Sequence, residues 1–119
     1  MPNAYVLPAG EAKVVEYDWG SLRWFAGRGL GNSQEMTVGE CRILPGRENP
    51  AHSHPNCEEV LHLVAGHLRH IAGEEVYSLQ PGDTITIARG VRHYAQNVGD
   101  DVAVMSIAFS SADRQIQPE

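Results

Sequence analysis

The sequence predicts an all-β fold, a barrel or sandwich of short strands with little or no helix. Three observations predict it. No long segment of the 119 residues sustains the apolar period of a helix. Short apolar or alternating runs recur instead, at about ten-residue spacing. Gly, Pro, Asn and Asp cluster between these runs, where a strand must reverse.

The first runs are AKVVEYDW (12–19) and SLRWFAG (21–27), whose β-branched and aromatic side chains suit a pleated surface. GRGLG (27–31) superficially resembles a phosphate-cradling loop. That fingerprint needs a helix behind it, and the strand EMTVGECRIL (35–44) follows instead, so GRGLG reads as a turn. Parity places Gln34, Met36, Val38, Glu40 and Arg42 on one face of this region. Alternation leaves open whether that face is inner, with Glu40 and Arg42 near a substrate, or outer, with the two as a solvated pair.

After the turn LPGREN come EEVLHLVAG (58–66), HLRHIAG (67–73), EEVYSL (74–79), DTITIA (83–88), VRHYAQN (91–97) and DVAVMSIAF (101–109). IAGEE, LQPGD and NVGDD supply the reversals between them. The closing SSADRQIQPE has no strand pattern, so residues 110–119 read as a flexible tail, with Arg114 read as solvated in preference to a cap on the pocket. Residues 1–119 read as a single domain, without repeat or linker.

Composition narrows the function classes. The formal charge of −6 and the scattered arginines offer no basic cluster for a phosphate backbone, so nucleic acid is not an expected partner. No apolar run is long enough for a membrane span and no leader pattern opens the chain, so a cytoplasmic protein without membrane contact is expected. Lys13 is the lone lysine and lies in a polar segment, which disfavours Schiff-base chemistry. Cys41 and Cys57 make no disulfide framework in such a setting.

PAHSHPNCEEVLHLVAG (50–66) holds three of the six histidines. His52 and His54 are two apart, so a strand turns both imidazoles to one face. Glu59 heads the apolar stripe Leu61, Leu63, Ala65, where a carboxylate is costly unless it meets a cation. Two imidazoles and a carboxylate suit Mn, Fe, Co, Ni or Zn. A histidine-rich exposed strand remains an equal reading of the stretch taken alone. A second stretch, PGDTITIARGVRHYAQN (81–97), delivers His93 after a turn at Gly90.

Together the two stretches resemble the cupin superfamily. The first cupin motif is met by Gly46, His52, His54, Glu59 and Gly66, and the second by Gly82, Gly90, His93 and Asn97, with Ala88 where the family usually has proline. The motifs cover 46–66 and 82–97. The resemblance implies a jelly-roll barrel (double-stranded β-helix) in which His52, His54, Glu59 and His93 bind one divalent transition metal, with two positions left for water or substrate. The motif interval to Gly66 favours Glu59 over Glu58, which then faces outward with His62.

Other residues are assigned more plainly. His67 and His70 read as an exposed pair, His62 as surface or subunit contact, and Cys57 as a bystander that could in principle ligate zinc. Trp19 and Trp24 read as core or dimer contacts, because members of the superfamily often dimerise through N-terminal strands. Tyr94, Tyr77, Gln34, Glu40 and Arg42 are candidates for the barrel mouth, with Tyr94 a weak candidate for moving a proton. The expected function is that of a metal-binding cupin, a homodimeric enzyme of dioxygenase or isomerase/lyase type acting on a keto acid, sugar or catechol. The alternative is a non-catalytic cupin that binds or senses a small molecule.

Overall fold

Turn residues divide the chain into eleven strands in this computed structural model, which describes residues 3–118. They are β1 (Lys13–Tyr17), β2 (Gly20–Ala26), β3 (Thr37–Ile43), β4 (His52–Ser53), β5 (Glu59–Ala65), β6 (Leu68–Ala72), β7 (Glu75–Leu79), β8 (Thr84–Ile87), β9 (His93–Asn97), β10 (Ala103–Phe109) and β11 (Gln117–Pro118). The helical content among the described residues is two single 3₁₀ turns, Ala9–Glu11 and Arg28–Leu30, the second within GRGLG.

The strands form two antiparallel sheets, β1-β2-β3-β10-β5-β8 and β11-β4-β9-β6-β7. From β3 onward, apart from the β6–β7 hairpin, the chain passes back and forth between them, as a jelly roll does. Most consecutive strands after β3 therefore belong to opposite sheets. The expected all-β jelly-roll barrel is the fold observed.

Alternation fills that interior. β5 buries Glu59, Leu61 and Leu63, β9 buries His93, Ala95 and Asn97, and β10 buries Ala103, Met105, Ile107 and Phe109. On β3 the buried set is Thr37, Gly39, Cys41 and Ile43, so the open parity is settled. Glu40 and Arg42 lie on the outer face as an ion pair, Arg42 Nε to Glu40 Oε1 at 2.6 Å. The edge strands β1 and β7 are largely exposed.

Close approach requires glycine at several positions, Gly39 and Gly66 among them. A Cβ at Gly39 would lie 2.6 Å from both the Trp24 ring and the Arg23 carbonyl oxygen. At Gly66 the backbone is left-handed (φ +93°), and a Cβ would lie 2.8 Å from the Ala103 Cα. Asn97 pins the end of β9. Its buried amide donates to the carbonyls of Ile43 and Asp101, and its oxygen accepts from the Gly99 N–H.

Residues 110–118, expected as a free tail, are instead tied across one end of the barrel. β11 pairs with β4, the Asn56 amide donates to the Asp113 carbonyl, and the Gln115 N–H donates to Asn56 Oδ1.

Candidate metal centre

Sheet register brings four side chains to one point. His52 and His93 are direct partners across β4 and β9, in the five-stranded sheet. His54 follows β4, and Glu59 opens β5 in the opposite sheet. One ligand atom from each of His52, His54, Glu59 and His93 lies within 4.8 Å of the others. His54, Glu59 and His93 are buried, and His52 is half-buried at the rim.

The hydrogen bonds show which nitrogens face inward. His52 Nδ1 lies 2.8 Å from the Pro50 carbonyl, His54 Nδ1 2.8 Å from that of Gln115, and His93 Nδ1 3.0 Å from that of Val91. A carbonyl oxygen only accepts, so each Nδ1 carries its proton and each Nε2 presents a lone pair when the ring is neutral. These lone pairs converge on a carboxylate: Glu59 Oε1 is 2.9 Å from His93 Nε2 and 3.6 Å from His54 Nε2. His54 Nε2 is a fully buried nitrogen with no hydrogen-bond partner. Three lone pairs and a negative charge facing one another call for a cation. The donor set fits a divalent transition metal, with room for further ligands.

Electrostatics agree with that requirement. Burial would raise the Glu59 carboxyl, but the close approach of His54 and His93, the latter hydrogen-bonded to it, outweighs burial and holds the group down at about 2. Burial would lower His93, yet the Glu59 hydrogen bond and charge, with the Val91 carbonyl, carry it above the ordinary imidazole value. At His52 burial outweighs the Pro50 hydrogen bond and the Glu59 charge, and the imidazole is held at about 4.

The centre opens into a cavity of about 340 Å³, walled by apolar side chains including Trp19, Leu61, Ile107 and Phe109. Two polar side chains that border it were expected elsewhere. His70, read as exposed, is 2% accessible and stacks 5.7 Å from His93, with neither ring nitrogen hydrogen-bonded. Burial holds its imidazole at about 4. The signal for it was parity with Leu68, an apolar residue two positions earlier on the same face of β6. Arg114, read as solvated, is half-buried with its guanidinium 4.5 Å from the centre of the Trp24 ring. No sequence pattern marks it.

The remaining candidates are not part of this group. Tyr94 lies on the other face of β9 from His93 and is half-buried, with the Arg92 guanidinium over its ring at 5.5 Å. Its phenol is not among the cavity-lining residues, which leaves the proton-moving role without a geometric basis. Tyr77 and Gln34 are exposed. His62 is exposed and hydrogen-bonded to Thr84 Oγ1, while Glu58 points outward as its parity requires. Cys57 is buried in the core, 1% accessible. Trp19 and Trp24 both line the cavity, Trp19 as part of the core and Trp24 packed against it.

A family model described as a cupin domain matches residues 39–109. The chain belongs to the cupin family. This cupin is 39% identical over 87 residues to germin-like protein 3-8 of Oryza sativa subsp. japonica, covering 67% of this chain and 38% of that protein. It is 31% identical over 88 residues to oxalate oxidase 1 of Hordeum vulgare, covering 67% of this chain and 44% of that protein. It thus spans less than half the length of either relative. Among solved structures, the oxalate decarboxylase of Lactobacillus farciminis in its formate complex superposes with a TM-score of 0.85 at 23% identity, over 92% of this chain and 34% of that one. The last comparison speaks for the cupin fold.

Proposed function

We propose that this cupin is a metal-dependent enzyme acting on a small, oxygen-rich metabolite that chelates through two neighbouring oxygens. Oxalate and 2-oxo acids are the first substrates to test. The observation that carries this reading is the convergence of three Nε2 lone pairs and the Glu59 carboxylate at the head of a cavity. Relatives named as oxalate oxidase and neighbours named as oxalate decarboxylase support a two-carbon diacid as the starting probe. A divalent ion bound by these residues supplies Lewis acidity to the chelating oxygens.

The chain's own residues do the rest. The backbone carbonyls of Pro50, Val91 and Gln115 hold the three imidazoles in one orientation. Apolar walls exclude water from the reacting end and strengthen every electrostatic contact within it. Cys41, pushed up to about 12 mainly by burial, is a neutral thiol in the metal-free chain.

Metal analysis of purified protein tests the site, with about one transition-metal ion per chain expected. His52→Ala and His93→Ala should each lose it, and full occupancy in both variants would overturn the assignment. Oxalate and a panel of 2-oxo acids are then followed for consumption, with oxygen uptake recorded alongside. Consumption with oxygen uptake identifies an oxidase or dioxygenase, and consumption without it a lyase. Metal binding and ligand binding without turnover would replace the enzymatic reading with that of a binding or sensing cupin.

A further inference from the structure

The cavity is larger and differently charged than a two-carbon acid requires. Its volume of about 340 Å³ falls at the lower end of small-molecule pockets, at roughly 300–1,000 Å³. Taking roughly 30 Å³ per water in the liquid, it holds about ten waters' worth of space. Oxalate, with two carbons and four oxygens, fills a minor part of that. Much of the cavity wall is apolar, with Trp19, Leu22, Leu61, Met105 and Ile107 among the lining residues.

Arg114 also lines the cavity. Its guanidinium carbon lies 4.5 Å from the Trp24 ring centroid and 5.2 Å from that of Phe109. A guanidinium stacked on an aromatic face keeps its in-plane N–H groups free for an acceptor. Among the described residues no carboxylate forms an ion pair with it. The adjacent Asp113 is 4.0 Å from Arg28, and both of those side chains are exposed. Burial moves Arg114 below its ordinary value, but an arginine remains charged in a folded protein. The carboxylate whose charge acts on it is Glu59, which belongs to the metal centre, so no anion of the described chain is dedicated to offsetting the desolvation of this half-buried cation.

The charge count points the same way. Glu59 is the single carboxylate among the cavity-lining residues. It only partly neutralises a divalent ion, so the loaded cavity is positive at the metal ligands and carries a further positive charge at Arg114.

We propose that Arg114 forms an anion subsite, and that the natural ligand has a chelating oxygen pair at one end, an apolar body, and a carboxylate or similar anionic group at the other. This rests on the metal-site reading above and narrows its substrate class. The chelating end meets the metal ligands, the body lies along the apolar wall, and the anionic end takes two parallel N–H bonds from the Arg114 guanidinium.

Calorimetric titration tests the subsite directly. Protein loaded with zinc and dialysed is titrated anaerobically with 3,4-dihydroxybenzoate and, separately, with catechol, which share the chelating head and differ in the carboxylate. The expected result is at least tenfold tighter binding of 3,4-dihydroxybenzoate by the unmodified protein. Arg114→Gln should lose that preference while metal content and catechol affinity stay within about twofold, and Arg114→Lys should retain part of it. Equal affinity for the two probes in the unmodified protein, no binding of either, or an intact preference in Arg114→Gln would each overturn the proposal. An absence of turnover with the preference intact would overturn the enzymatic reading alone. Turnover of oxalate without any preference would overturn the subsite alone.

Discussion

Each imidazole of the centre has its outer nitrogen committed to a backbone carbonyl, so a single residue change acts on a preset orientation rather than on a loose side chain. His70 is different, because neither of its nitrogens is hydrogen-bonded although the ring is buried beside His93. A buried polar group without a partner costs about 1–3 kcal/mol, and an apolar residue of similar volume removes that cost. The pH dependence follows from the same burial. His70 and His52 are held at about 4 in the folded chain, against about 6.5 in the unfolded one. As pH falls from about 6.5 to about 4, the unfolded chain takes up protons that these two sites refuse, and stability drops. The raised His93 works in the opposite sense, contributing stability at low pH that is lost as pH rises through its folded value, and so offsets part of the slope. In metal-free protein, thermal melts from pH 7 to pH 4.5 should show a falling midpoint. His70→Leu should reduce that fall and raise the midpoint at pH 5 by a few degrees. An unchanged pH slope in the variant would count against His70 as one of the groups responsible.

At the scale of elements, β2 and β3 are held close by the absence of a side chain. The Trp24 ring lies over Gly39, and a Cβ there would meet both the ring and the Arg23 backbone at 2.6 Å. Because one of the two obstacles is backbone, the strands themselves must separate. Gly39→Ala should therefore cost about 1–3 kcal/mol, the usual range for overpacking, read as a lower urea midpoint at unchanged slope. It should also disturb the Arg114 perch, since the guanidinium rests on the same tryptophan. Element boundaries were largely legible, because period-two alternation and turn residues are local signals. The inner face of β3 was not, because Thr37, Gly39, Cys41 and Ile43 are no more apolar than the outward set containing Met36 and Val38. The choice between those faces is made by packing against β10 and the opposite sheet.

For the whole molecule, the ligands come from both sheets, Glu59 from the six-stranded one and His52 and His93 from the five-stranded one. A bound ion therefore ties the two halves of the barrel together and binds the native state in preference to the unfolded chain. At a thousandfold excess over its dissociation constant it contributes about 4 kcal/mol. Melts with and without a chelator should show a midpoint several degrees lower after metal removal, and His52→Ala should show no chelator effect. Equal chelator sensitivity in that variant would mean that the stabilising ion sits elsewhere. The sequence alone determined the all-β architecture and the turns, which are properties of alternation and turn chemistry along the chain, and through its resemblance to the cupin motifs it implied the pairing of a histidine–histidine–glutamate stretch with a distant histidine. Only the tertiary structure decided that Tyr94 faces away from the cavity, that His70 faces into it, and that Arg114 lines it from a segment without strand periodicity. The reason is that burial of a polar side chain depends on which sheet packs over it, and a carbonyl such as that of Gln115 reaches His54 only when the end of the chain is laid across the barrel.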